Sequence, residues 1–307
     1  MKTAFIFSGQ GTQKVGMGKD LAEKYPLAKS LFERADAALE RNLSALCCNG
    51  PEEVLSRTEN AQPAIFTLEV ACLELLREQG ITPDAVAGHS VGEYAALYAA
   101  GAFDFETGIQ ILHERGMLMR EAAENNAGGM MAVMGLPLEK ALAIAKEFPP
   151  DLCADIAAYN SPQQLVISGK VEDLQKAGEI AKAKGAKRVI PLKVAGAFHS
   201  RLQAEAREKM KAFCQTLTLK PLSLPYVANY SGKLESDPVV IRNMLCEQLT
   251  SPVQWLGCLE SLKAQGIGTY IECGGAVLTA FVTAFDKEAV VRNVFDAQTL
   301  ESVQGEA

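Results

Sequence analysis

The segment DAVAGHSVGEYAALYAAG, residues 84–101, leaves this chain few possible folds. A short apolar run reads as a strand, and VGEYAALYAA (91–100) reads as a helix stopped by Gly101. Between them stands Gly88-His89-Ser90-Val91-Gly92, a G-x-S-x-G turn in the strand–turn–helix setting that this motif requires. Such a turn lifts a serine oxygen out of a sheet and needs glycine where a Cβ would clash. The helix opening at Val91 aims free N–H groups and its positive dipole end at the serine, so an oxyanion formed there would meet donors. Ser90 therefore reads as a nucleophile on an α/β scaffold.

The rest of the chain keeps that alternation of short apolar runs and longer amphipathic stretches. TAFIF (3–7) is a strand candidate ending in the SGQG turn. Helices are expected over 17–41 and 62–80, and Asp104 caps another that runs to about 125. After Gly128-Gly129 the order becomes βαββαβ: MMAVMG, a helix over 137–147, CADIAAYN, QLVISG, a helix over 171–184, and KRVIPLKV. That order suits a ferredoxin-like unit. Beyond His199 follow a helix over 201–217, the strand LPYVANY, helices over 238–249 and 255–265, the strand TYIEC and a helix over 275–285. The expected fold class is α/β: a large α/β-hydrolase-like domain with a mostly parallel sheet, made by 1–126 and 198–307, and an inserted ferredoxin-like subdomain over 127–197. The polar tail from Gln298 is expected to fray.

Composition narrows the function classes. The 307 residues are 48% hydrophobic, enough for a sizeable core, and a net charge of -7 argues against nucleic-acid partners. No apolar run reaches the roughly 18–20 residues needed to span a bilayer, and the N-terminal run is too short for a signal peptide. Eight cysteines without C-x-x-C pairs point away from disulfides and zinc and toward a reduced, cytoplasmic setting.

Only three histidines are candidates for a base. His89 adjoins Ser90, and consecutive side chains on an extended chain point apart, so it reads as a packing or turn residue. On a helical wheel His113 falls with Glu106, Gln110, Glu114, Arg120 and Glu121, the arc expected to face water. His199 remains, in VAGAFHS at the seam between the two units, either as the base or as a loop histidine with a structural partner. The same wheel puts Arg115 in the middle of the apolar arc. A buried guanidinium needs a partner, which is either a carboxylate from another helix or a substrate carboxylate gripped by its planar fork.

Taken together these segments resemble the malonyl-CoA:acyl carrier protein transacylases and the related acyltransferase domains of polyketide and fatty-acid synthases. The resemblance spans the chain: FSGQGTQ (7–13), TENAQPA (58–64), AGHSVGEYAAL (87–97), ERG (114–116), AYNSP (158–162), AFHS (197–200) and EQLTSPVQW (247–255). It implies that Ser90 is acylated and that His199 is the base, oriented by the main-chain carbonyl of Gln248. It implies an oxyanion hole from the N–H groups of Gln10 and Val91, and a malonyl carboxylate held by Arg115. Asn160, Phe198 and Gln62 fall at cleft positions, and Phe198 before the histidine resembles malonyl-selective members. Two departures stand out: Ser8 where the family has proline, and Cys273-Gly274-Gly275 where it has a longer turn with proline.

The resemblance further implies ping-pong transfer from malonyl-CoA to the phosphopantetheine thiol of holo-acyl carrier protein, by a monomer needing no metal or tightly bound cofactor. Carrier proteins are acidic, and Lys182, Lys184, Lys187 and Arg188 form one candidate docking patch, with a merely solvated face as the alternative. A serine thioesterase or esterase would carry an acid between nucleophile and histidine and would have no use for an inward arginine. A trans-acting polyketide-pathway acyltransferase would use the same residues. A non-catalytic carrier-binding module would not need every expected catalytic position filled.

Overall fold

The computed structural model describes residues 1–146 and 148–304. Residue 147, at the end of the helix expected over 137–147, lies outside the described residues, as do the last three residues of the tail. Strand β1 (Lys2–Phe7) leads through α1 (Lys19–Lys24), α2 (Pro26–Leu39), α3 (Leu43–Asn49) and α4 (Glu52–Leu55) to α5 (Thr58–Glu78). Next come β2 (Ala85–Gly88), α6 (Gly92–Ala99) and α7 (Phe105–Asn125). The βαββαβ segment follows as β3 (Gly129–Met134), α8 (Leu138–Lys146), β4 (Ala154–Ser161), β5 (Gln164–Gly169), α9 (Val171–Ala183) and β6 (Arg188–Pro191). The chain closes with α10 (Ala204–Cys214), β7 (Tyr226–Ala228), β8 (Lys233–Glu235), α11 (Pro238–Glu247), α12 (Trp255–Ala264), β9 (Ile267–Cys273), α13 (Leu278–Phe285), β10 (Val290–Val294) and α14 (Ala297–Gln304).

The strands form two sheets among the described residues. One has the order β10-β9-β1-β2-β7-β8 and is parallel except for the β7–β8 pair. Its central strand β1 is buried on both faces, and the two-residue period of a strand divides its side chains accordingly. Phe5 and Phe7 join the core under α5, α6 and α7, while Ala4 and Ile6 join the core under α12 and α13. The other sheet is antiparallel with the order β4-β5-β3-β6, the arrangement expected of a ferredoxin-like unit. One of its faces packs Met131, Val133, Leu165 and Ile167 beneath α8 and α9. The other contributes Ala157, Ala158 and Val166 to the core that contains Ala4, Ile6 and Trp255. Main-chain bonds between Tyr159 and Val253 (2.9 Å) and between Val253 and Ala157 (2.9 Å) tie the second sheet to the turn before α12.

Several expectations need correction. The helix expected over 17–41 is broken at Tyr25, which is extended (φ -120°) because the following Pro26 disfavours helical backbone before it. The tail is not frayed from Gln298: α14 forms because Leu300 and Val303, one turn apart, are both buried, and Asp296 caps Thr299. Strands β8 and β10 were not expected at all; each is short and lies at a sheet edge, where the apolar alternation is weakest. His113 does not face open water. It is half-buried, with Nδ1 3.4 Å from Arg41 Nη2. By contrast α7 begins as expected, with Asp104 Oδ1 accepting from the Thr107 N–H at 2.9 Å. Among the described residues no helix is long and apolar enough to cross a membrane.

Candidate active site

Three residues separate the end of β2 from the start of α6, and the reversal is made with Ser90 in the left-handed region at φ 54°. A Cβ on Gly88 would lie 2.0 Å from the Gly92 carbonyl oxygen, and one on Gly92 would lie 2.3 Å from that of Phe7. Both positions must therefore be glycine. Ser90 N–H donates to Asn229 Oδ1 (2.7 Å), and Asn229 Nδ2 donates to the Gly88 carbonyl (2.5 Å). One buried amide thus ties the end of β2 to the serine and offsets a backbone strain of about 1–3 kcal/mol.

His199 supplies the ring nitrogen next to the serine, with Nε2 2.8 Å from Ser90 Oγ. Its Nδ1 lies 2.9 Å from the Gln248 carbonyl oxygen. A carbonyl only accepts, so Nδ1 carries the proton and the Nε2 lone pair faces the serine hydroxyl. His199 also has a left-handed backbone, φ 55°, and is 5% exposed. Burial and then the nearby Arg115 charge push its pKa down to about 3, which keeps the ring neutral at physiological pH. His89 takes a different place. Its Nε2 meets Asn160 Oδ1 at 2.9 Å and its ring packs edge-on against Trp255, while its main chain bonds Phe7 and Gly92.

Arg115 is fully buried, as the wheel placed it, yet its hydrogen bonds go to no carboxylate. Nη1 donates to Gln62 Oε1 (2.8 Å) and Nη2 to Gln248 Oε1 (2.8 Å), with Ser90 Oγ 3.3 Å away from Nη2. Its Nε has no partner among the described residues, and its guanidinium carbon stands 5.5 Å from the centre of the Tyr94 ring. Gln62 also donates to the Met119 sulfur. Gln248 therefore does two things at once: its carbonyl faces His199 and its amide oxygen faces Arg115.

The serine opens onto a cavity of about 300 Å³. Gln10 and its glycine neighbours form one lip, Leu278 and Phe281 of α13 another, and Ala132, Ala158 and Val166 of the second sheet a third. Asn160, Phe198, His89 and His199 also line it, whereas Arg115, Gln62, Gln248 and Val91 are buried next to the serine turn and do not line it. Neither the Gln10 nor the Val91 N–H is spent on a hydrogen bond among the described residues. The two departures meet one another below the Gln10 lip. Ser8 Oγ donates to Glu272 Oε1 (2.8 Å), and a Cβ on Gly275 would lie 2.5 Å from that hydroxyl.

Two residues of this network were absent from the expectations. Glu93 follows the second glycine of the serine motif and is buried in contact with Gln248 and Asn229. A charge in the apolar run VGEYAALYAA is the same signal that singled out Arg115, and it marks Glu93. Asn229, in the strand expected as LPYVANY, carries no such signal.

A family model described as an acyl transferase domain matches residues 4–296. The chain belongs to the acyl transferase family. Within it, the malonyl CoA-acyl carrier protein transacylase of Bacillus subtilis strain 168 is 41% identical over 302 residues, which is 98% of this chain and 95% of that protein. The acyl transferase fold seen here also matches solved structures. An acyl carrier protein S-malonyltransferase from Vibrio cholerae superposes with a TM-score of 0.94 at 36% identity, covering 99% of this chain and 100% of the other. A malonyl-transacylase in complex with its type II polyketide acyl-carrier protein superposes at 0.96 with 35% identity, covering both chains fully.

Proposed function

We propose that this acyltransferase moves a malonyl group from malonyl-CoA to the phosphopantetheine thiol of a holo-acyl carrier protein, through a malonyl ester on Ser90. The observation that carries the reading is the placement of Ser90 Oγ between His199 Nε2 (2.8 Å) and Arg115 Nη2 (3.3 Å). His199 takes the serine proton as Oγ bonds the thioester carbon. The C–S bond then breaks, and the same proton passes to the departing CoA thiolate. In the second half the carrier thiol gives its proton to His199, attacks the ester and releases Ser90. The N–H groups of Gln10 and Val91 stabilise each tetrahedral oxyanion.

Arg115 holds the malonyl carboxylate, its Nη2 lying 3.3 Å from the Ser90 Oγ that carries the ester. That arrangement couples selectivity to base strength. Burial first and the arginine charge second lower the basicity of His199, and a carboxylate on the guanidinium relieves the second effect only for an acyl group bearing an acid. Phe198, against the acyl position, disfavours an α-methyl substituent by about 1–3 kcal/mol. The reaction as written needs no metal or other cofactor. This reading treats 127–197 as an inserted unit that lends one cavity wall to the body formed by 1–126 and 198–307, working as a monomer in the cytoplasm.

Mass spectrometry of the intact protein after malonyl-CoA treatment tests the reading. A malonyl adduct is expected on the parent and none on Ser90→Ala; an adduct persisting at another residue overturns the scheme. Arg115→Ala is expected to lose the preference for malonyl- over acetyl-CoA. The polyketide complex among the similar structures supports a second pathway for the same chemistry. Transfer rates to fatty-acid and polyketide carrier proteins, measured side by side, distinguish the two.

A further inference from the structure

Glu93 is a buried carboxyl that the reaction does not use. Its Oε1 accepts from the Tyr226 hydroxyl (2.5 Å) and the Asn229 N–H (2.6 Å), and its Oε2 accepts from Gln248 Nε2. A glutamine side chain has one donating end and one accepting end. With its nitrogen turned to Glu93, Gln248 has its oxygen left for Arg115 Nη2 at 2.8 Å. An acceptor on one side and a donor-only guanidinium on the other therefore set the direction of this amide. The carbonyl of the same Gln248 receives His199 Nδ1, and Asn229 receives the Ser90 N–H.

We infer that Glu93 is a positioning residue that acts through Gln248 and Asn229, holding the acceptor for Arg115, the acceptor for His199 and the Ser90 backbone in one register. This inference rests on reading Arg115 as the holder of the malonyl carboxylate. The charged and titratable groups facing Glu93 are Arg115 from α7, Tyr226 from β7, Cys258 from α12 and Tyr94 from its own helix. Burial pushes the Glu93 carboxyl up to about 7 against its three donors. A proton on Oε2 sets two donors face to face at Gln248, so the amide turns and Arg115 loses its acceptor.

Glu93→Gln keeps the shape and the acceptor for Tyr226 and Asn229, but presents an NH₂ group to Gln248. CoA release in the acylation half-reaction is measured with malonyl- and acetyl-CoA across pH 5.5 to 8.5. Circular dichroism and a thermal melt check that the variant is folded. The malonyl-to-acetyl ratio of kcat/KM is expected to fall about 10-fold, the effect of one hydrogen bond to a charged group. The acid limb near pH 7 in the parent's malonyl kcat/KM is expected to vanish in the variant. An unchanged ratio with an unchanged limb overturns the inference. Arg115→Ala, measured alongside, separates the two levels. If it keeps the malonyl preference, the reading of Arg115 fails; if it loses the preference while Glu93→Gln keeps it, only the role of Glu93 fails. Should Glu93→Gln not fold, Gln248→Met removes the amide and keeps the carbonyl. It is expected to show the same loss of ratio and limb, and retention of both overturns the inference.

Discussion

Ser90 and His199 share a backbone state that side chains seldom adopt, and each is held there by groups distant in the chain. For Ser90 the holder is Asn229, 139 residues away. Asn229→Ala leaves the serine N–H and the Gly88 carbonyl without partners, at about 1–3 kcal/mol. The expected result is a 10- to 100-fold slower acylation rate (roughly, by the same conversion) with His199 still in place, checked by stopped-flow CoA release. Glu69 is fully buried and close to Glu272, and the Ser8 main-chain N–H is the group that favours its ionised form. Burial holds its carboxyl well above the usual carboxylate range, so the folded protein binds a proton that the unfolded chain releases. Stability from this group is fully present below the unfolded pKa and is lost as pH rises through the folded one. Glu69→Gln is expected to match the parent near pH 4.5 and to gain on it toward pH 8, read from urea midpoints at both ends. At this scale the inward face of Arg115 was legible from helical periodicity alone. The half-buried state of His113 was not, because Arg41 comes from outside its helix.

Among the elements, the β2–α6 turn is the least tolerant. A methyl group at Gly92 would have to displace the backbone of β1, the central strand of the sheet. Gly92→Ala is expected to cost about 3 kcal/mol or more, the range of severe overpacking, and to lower the melting temperature. The cap of α7 provides a milder contrast. Asp104→Ala removes one bond to the Thr107 N–H and is expected to cost about 1 kcal/mol, with acylation unchanged. Element types and order were largely readable, since amphipathic period and glycine punctuation are local properties. The short edge strands β8 and β10 escaped because pairing with a neighbour defines them more than their own pattern does.

For the molecule as a whole, the second sheet decides how a partner can approach the cavity. Directly paired residues in an antiparallel sheet project from the same face. Ile190 pairs with Ala132 and Arg188 pairs with Met134, which pairs with Gln164; Ala132 and Gln164 line the cavity. Arg188 therefore belongs to the cavity face, while Lys182 and Lys184 sit on and just after α9, which covers the opposite face. The basic cluster expected as one patch is divided by the sheet. If an acidic carrier protein docks at the cavity mouth, Arg188→Glu should raise its KM by about 5- to 10-fold, as for one close charge pair. Lys182→Glu should leave that KM unchanged, and malonyl-CoA hydrolysis should be spared in both. Equal effects of the two substitutions would remove the face from consideration as the dock.

The serine turn, the βαββαβ order and the inward arginine were legible in the residues alone, whereas the three histidines left His199 open between a base and a loop residue, and the premise that His113 faces water did not hold. The turn, the strand–helix order and the arginine follow from spacing within one segment, where backbone geometry dictates which side chains share a face. Packing between distant segments was needed to bring Gln248 to both His199 and Arg115, to set Glu93 and Asn229 against them, and to part Arg188 from Lys182 and Lys184. Glu93 and Gln248 are 155 residues apart. Periodicity says that such a side chain points inward; only the packing of sheets and helices says which donor or acceptor it finds there.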